Sequence, residues 1–135
     1  MHEFHNALRV ARELQPAAPV TLVRPEAALD AARFFTSAFP GKSFYAVKAN
    51  PSPHLIETLW AGGIRHFDVA SIAEVRLVRG LLPEAVLAFM HPVKAERAIA
   101  EAYHDHGVRT LSLDTMDELA KITRAPGNAG AWNLC

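Results

Sequence analysis

Two residues, Lys48 and Asp68, stand where short apolar runs give out, and they are the side chains best placed to do chemistry. Lys48 ends Phe44-Tyr45-Ala46-Val47-Lys48 and is followed by Ala49-Asn50-Pro51; Asp68 lies in Phe67-Asp68-Val69-Ala70-Ser71. A lysine amine partly withdrawn from water loses its proton more easily and can attack a carbonyl to form an imine. A carboxylate at the same level can orient that amine or hydrogen-bond a bound cofactor. Position alone decides little here. A lysine ending its strand at the surface is the commoner account, and Asp68 also suits the positive end of the helix that follows. Ser71 and Glu74 have the spacing of a capping box, which explains both without any ligand.

The remaining chemistry-bearing residues form no comparable constellation. Of the seven histidines, His104 and His106 are two apart and share no helix face. His2 and His5 have no acidic or cysteine partner at ligand spacing, so no metal site is expected. The only cysteine is the last residue, Cys135, which allows no internal disulfide. Lys plus Arg equals Asp plus Glu at 14 each, and Arg9, Arg12 and Arg24 form no run. Nothing therefore points to nucleic acid. No apolar stretch approaches the roughly 20 residues that span a bilayer, and the first residues do not resemble a secretion signal. A soluble, cytoplasmic protein is expected.

What positions Lys48 and Asp68 is a repeat. Apolar, β-rich runs begin near Val20, Ser43, Arg65, Val86 and Arg109, at gaps of 23, 22, 21 and 23 residues. They are short and apolar throughout, as in parallel strands covered on both faces. Helical patterns fill the gaps. Ala28, Ala31, Phe35 and Ala38 mark one helix face. Ser52 and Pro53 open a second helix, which Gly62-Gly63 stops. Ser71 and Glu74 start a third, Gly107 closes a fourth, and Thr115 with Glu118 repeats the capping box before a fifth. Alternating strands and helices give either an open doubly wound sheet or a (β/α)8 barrel, and the even period favours the barrel. One further period predicts a sixth strand beginning at Ala131. The expectation is thus α/β: the N-terminal part of a TIM barrel, about five βα units plus the start of a sixth strand. Residues 1–18 are expected to form an N-terminal helical segment and residues 19–135 the βα units. A complete barrel usually takes about 250 residues, so the sequence is expected to be part of one. An open sheet edge would then make the isolated chain poorly soluble or partly molten.

The wording of these segments adds a resemblance. Tyr45-Ala46-Val47-Lys48-Ala49-Asn50 resembles the pyridoxal-phosphate lysine motif of the alanine-racemase-like barrel decarboxylases. Phe67-Asp68-Val69-Ala70-Ser71 with Glu74 is similar to that family's next block. Phe89-Met90-His91-Pro92-Val93-Lys94 and Leu113-Asp114-Thr115-Met116-Asp117-Glu118-Leu119 are similar to the blocks after its fourth and fifth strands. The resemblance runs from about Val20 to Leu134. Within the family the blocks resemble ornithine/lysine decarboxylases more than diaminopimelate decarboxylases or alanine racemases.

The resemblance implies a pyridoxal 5′-phosphate enzyme that removes the carboxylate of a basic amino acid, with L-ornithine to putrescine as the first candidate and lysine left open. It implies Lys48 as the catalytic residue holding the cofactor, with Asp68 beside it, Ala46 lining the pocket floor, and Glu74 as a support that the capping box explains as well. It also implies a homodimer for full-length members. The family's cofactor-stacking histidine, glycine-rich phosphate loop and C-terminal β domain have no counterpart among these 135 residues, so the chain alone is expected to be inactive. Two other readings stand beside this one: a non-catalytic homologue of the same fold, and a cofactor-carrying barrel without the β domain.

Overall fold

The computed structural model describes residues 6–127 and 131–135. His2 and His5, and the start of the N-terminal helical segment, lie outside the described residues.

Helix α1 (Ala7–Leu14) opens with the Asn6 side chain accepting the Arg9 N–H at 2.9 Å and ends on Gln15 at φ 41°. The chain then runs without regular structure to helix α2 (Pro25–Ala38). Here the structure departs from the sequence pattern. Val20-Thr21-Leu22-Val23 forms no strand, and Val20, Leu22 and Val23 are exposed. An extended segment is stabilised by ladder bonds and by burial of one face. Neither is present here, because β1 (Phe44–Ala46) pairs only with β2 (His66–Val69).

From β1 onward strand and helix alternate as the period predicts. Helix α3 (Pro53–Ala61) separates β1 from β2, and α4 (Ile72–Leu81) leads to β3 (Val86–Phe89). Helix α5 (Glu96–His104) leads to β4 (Thr110–Leu111), and α6 (Met116–Arg124) to β5 (Asn133–Leu134). All five strands are parallel and lie in chain order, β1-β2-β3-β4-β5. An open doubly wound sheet reverses its order at a switch point; this sheet does not, and it is an arc of a (β/α)8 barrel. The predicted sixth strand is the fifth one formed, since the first prediction failed.

The packing follows the pleat. Phe67 and Val69 of β2, Leu87 and Phe89 of β3, and Leu111 of β4 point under the helices and are buried. They meet Ile56 and Leu59 of α3, Val75 and Val78 of α4, Ile99 and Ala102 of α5, and Ile122 of α6. Burying aliphatic and aromatic side chains like these contributes about 1.5–3 kcal/mol each. The opposite face of β2 is only half-buried at His66 and Asp68. The strands were expected to be covered on both faces; among the described residues the helices cover one.

Helix α2 reaches this core through a close approach to α3. A Cβ added to Gly62 would lie 2.5 Å from the Ala32 Cβ and 3.4 Å from the Leu29 carbonyl, so the α2–α3 contact needs glycine there. Gly63 next to it takes φ 103°, a conformation glycine adopts at little cost. Beyond Ala32 the helix is thinly covered: Phe34, Phe35 and Phe39 are exposed. A cavity of about 450 Å³ between α2 and β1 is lined by Phe35, Phe39, Phe44, Tyr45, Leu59 and Ile64 among others, with neither Lys48 nor Asp68 on its wall.

Candidate functional site

The in-register partners across the sheet define one row on the face opposite the helices. Ala46 pairs with Asp68, Asp68 with Ala88, Ala88 with Thr110, and Thr110 with Asn133. In-register residues of neighbouring strands share a face about 4.8 Å apart. Asp68 is therefore flanked by two alanine methyls, Ala46 half-buried and Ala88 buried.

Lys48 sits one step beyond this row. Strand β1 ends at Ala46, and Val47–Ala49 turn as a single 3-10 helix. Val47 is fully buried and pins the turn to the core. The Tyr45 hydroxyl donates to the Asn50 carbonyl at 3.1 Å, and the Asn50 side chain accepts the Ser52 N–H at 3.0 Å. These bonds fix the backbone on either side of Lys48 and leave its side chain exposed. The sequence reading put the lysine at a strand end, with a surface position as the commoner account and partial withdrawal from water as the functional one; the structure places it exposed on the following turn, and the described residues do not cover it. Among them none forms a hydrogen bond or ion pair with the Lys48 amine.

Asp68 lies within electrostatic reach of Lys48 and Glu74. Partial burial pushes its carboxyl up from the usual range; Lys48 pulls it down, and Glu74 pushes it up again. No described donor bonds the Asp68 carboxylate. Amine and acid are thus neighbours at one rim, both unengaged.

Glu74 is engaged. Its carboxylate accepts the Ala70 N–H at 2.8 Å, while its own N–H donates to the Ser71 hydroxyl at 3.2 Å. This reciprocal cap holds the loop from Asp68 into α4, so Glu74 reaches Asp68 through its charge and through the backbone. Ser52, expected as an N-cap, takes that position on α3 but makes no side-chain capping bond.

The structure also joins two residues that the sequence reading named only apart, Lys94 in a family block and Glu118 in a capping box. Lys94 and Glu118 form a buried ion pair at 2.9 Å, with side chains 0% and 3% exposed. The Lys94 ammonium donates to the carbonyls of His91 (2.9 Å) and Ser112 (2.6 Å), just past the ends of β3 and β4. Lys121 donates to the other Glu118 oxygen at 2.6 Å. Burial pushes the Glu118 carboxyl up, but the hydrogen bonds from Lys121 and Lys94 outweigh it and hold the group below its usual range. The i, i+3 spacing of Glu118 and Lys121 was a visible signal. Lys94, 24 positions upstream of Glu118, was visible as the end of a block, with nothing to pair it with Glu118.

Among the described residues no group of three or more His, Cys, Asp or Glu side chains could hold a metal ion, and no helix is long and apolar enough to cross a membrane.

Comparison with known proteins gives the arrangement a family. Residues 27–132 match the pyridoxal-dependent decarboxylase, pyridoxal binding domain. Over 86 residues the chain is 38% identical to the lysine/ornithine decarboxylase of Selenomonas ruminantium, an alignment covering 62% of this chain and 21% of that protein. Over 83 residues it is 40% identical to the ornithine decarboxylase of Rattus norvegicus, covering 61% and 18%. Among solved structures, the lysine/ornithine decarboxylase of Vibrio vulnificus complexed with cadaverine superposes with a TM-score of 0.78 at 29% identity, over 94% of this chain and 34% of that one. The chain spans about a fifth of the length of the curated relatives it matches. It belongs to the pyridoxal-binding domain family of the pyridoxal-dependent decarboxylases, whose cofactor is pyridoxal phosphate.

Proposed function

We propose, from that membership, that this domain serves a decarboxylase of basic amino acids, with L-ornithine as substrate and putrescine as product. The observation that carries the reading is the unengaged pair at the rim: an exposed lysine amine within electrostatic reach of a half-buried carboxylate, with the small Ala46 in register beside that acid. That donor set fits pyridoxal phosphate. The cofactor needs a primary amine for its carbonyl carbon and room for its ring, and Lys48 with the small, half-buried Ala46 fits both needs.

In this reading Lys48 would hold the cofactor, its primary amine being the group suited to the cofactor's aldehyde carbon. Asp68 faces the same reaction centre and holds a positive charge there, favouring a protonated nitrogen. Ala46 lines the floor, since a larger side chain in its row would intrude on the ring. Glu74 keeps the Asp68 loop in place through its cap on Ala70. When bound, pyridoxal phosphate supplies a ring that accepts the electron pair left as carbon dioxide departs. Ornithine rests on the named relatives, two of which also carry lysine in their names. The family resemblance further supports a homodimer for a protein carrying this domain.

The test is covalent trapping. Pyridoxal phosphate added to the protein and reduced with borohydride is expected to label the peptide carrying Lys48, and Lys48→Ala is expected to abolish the label. Label spread over exposed lysines, unchanged by Lys48→Ala, would overturn the assignment.

A further inference from the structure

The buried Lys94–Glu118 pair is not explained by the rim chemistry, nor by helix capping. Capping accounts for Thr115, whose hydroxyl accepts the Glu118 N–H at 3.2 Å. It does not account for the Glu118 carboxylate, which turns away from its own helix start. One oxygen accepts both the backbone N–H (3.1 Å) and the ammonium (2.9 Å) of Lys94, and the other accepts Lys121. Lys121 also donates to the Lys94 carbonyl at 2.5 Å. Lys94 is thus gripped at its N–H, its carbonyl and its ammonium.

The three donors of the ammonium meet three acceptors: the His91 carbonyl, the Ser112 carbonyl and Glu118. Both carbonyls lie just past the paired residues of β3 and β4, where the last backbone bond between the strands is the long one from the Ser112 N–H to the Phe89 carbonyl at 3.3 Å. The β3 end is in turn tied to β2, through the Met90 N–H to the Val69 carbonyl at 2.9 Å, one residue past Asp68. A single cation therefore couples the carboxyl ends of two strands directly and touches a third through one backbone bond. Taking two charges out of water is costly, and an apolar pair of the same size is often as stable or more so. Stability alone is a weak reason for such a pair. A fixed distance between strand ends is a stronger one.

We propose that Lys94 is a positioning residue: held by Glu118, its ammonium sets the spacing of the β3 and β4 ends, and with it the rim beside Asp68 and Lys48. The link to cofactor binding rests on the function proposed above; the ordering of the rim does not. Lys94 acts through the backbone of His91 and Ser112 and touches no reacting atom.

The experiment replaces both charges together, Lys94→Met with Glu118→Met, in the full chain. Three quantities are read: the thermal midpoint, amide hydrogen exchange over residues 90–95 and 112–114, and pyridoxal phosphate affinity by visible absorption. The expected result is a midpoint close to that of the parent protein, with rim exchange faster and cofactor affinity weaker, each on the order of tenfold. A merely structural role would restore all three together, and rim exchange at the parent rate in the paired variant overturns the proposal. If the parent protein takes up no cofactor, the proposed function fails, and exchange alone still decides the positioning role. If the paired variant does not fold, Lys94→Met is compared with Ile122→Ala, a buried change on the same helix as Glu118, under conditions of matched stability. Faster rim exchange in Lys94→Met alone supports the proposal; equal exchange in the two overturns it.

Discussion

Helices α4 and α6 begin with the same local spacing and end up held in different ways. Ser71 and Thr115 each accept the N–H of the glutamate three residues on, at 3.2 Å in both cases. There the likeness stops. Glu74 turns back to the Ala70 N–H and completes its cap within five residues of chain. Glu118 gives up that local partner for Lys94 and Lys121 and becomes nearly inaccessible to water. The hydroxyl half of a capping box is a local property, set by the N-terminal geometry of the helix. The carboxylate half goes to whichever donor is strongest, and a cation carried in by another βα unit outcompetes a backbone N–H. A cap of the first kind orders one loop, whereas the second kind ties two loops and a helix together.

Breaking the two glutamates separately should give unequal losses. Glu118→Ala leaves the Lys94 ammonium buried without a counter-charge, and breaking a buried pair in this way costs about 3–5 kcal/mol. Urea unfolding followed by circular dichroism should show a midpoint far below that of the parent protein. A loss no larger than a cap would mean that Lys94 finds water when Glu118 is gone. Glu74→Ala removes only a cap on a half-buried loop, and the expected cost is about 0.5–2 kcal/mol by the same measurement. The comparison sharpens at the hydroxyls. Ser71→Ala and Thr115→Ala should each cost about 1 kcal/mol and match one another closely, because the two bonds are alike. If Thr115→Ala were much the worse, the hydroxyl would be part of the Lys94 network after all.

The same division between local and distant determinants governs how much the sequence disclosed. The βα period located β1 through β5 and all the helices between them, because strand, helix start and helix stop are written in short windows around residues such as Pro53, Gly62 and Ser71. Lys48 and Asp68 were found as rim residues for the same reason. Val20–Val23 has the composition of a strand and remains unpaired, since a ladder needs a neighbour and composition carries no information about one. Whether Lys48 is drawn out of water was left open by position alone, because its exposure depends on what covers the turn after β1, and that is not written in Tyr45–Asn50. The pairing of Lys94 with Glu118 was hidden most completely. Lys94 follows an apolar strand like any solvated lysine, and only the assembled sheet brings Ser112 and Glu118 around it.

The smallest of the expected effects separates the rim from the buried pair by sign. Glu118 has its carboxyl held below the ordinary range in the folded state, so the stability it contributes is present above the usual glutamate pKa and is lost as pH falls through the lowered value. Asp68 is shifted the other way, chiefly by partial burial. The folded state keeps the Asp68 proton longer than the unfolded chain does, so stability falls as pH rises from the usual aspartate pKa through the raised one. Replacing Asp68 by asparagine removes this penalty. Asp68→Asn should therefore be slightly more stable than the parent protein at neutral pH and lose that advantage in acid, the reverse of the change expected for Glu118→Gln. Urea midpoints measured at intervals between about pH 3 and pH 7 would show the two difference curves sloping in opposite directions. A neutral-pH loss for Asp68→Asn would mean that the Asp68 carboxylate is stabilised by its neighbours. The attraction of Lys48 would then outweigh burial at the rim, and the two carboxylates would differ in degree alone.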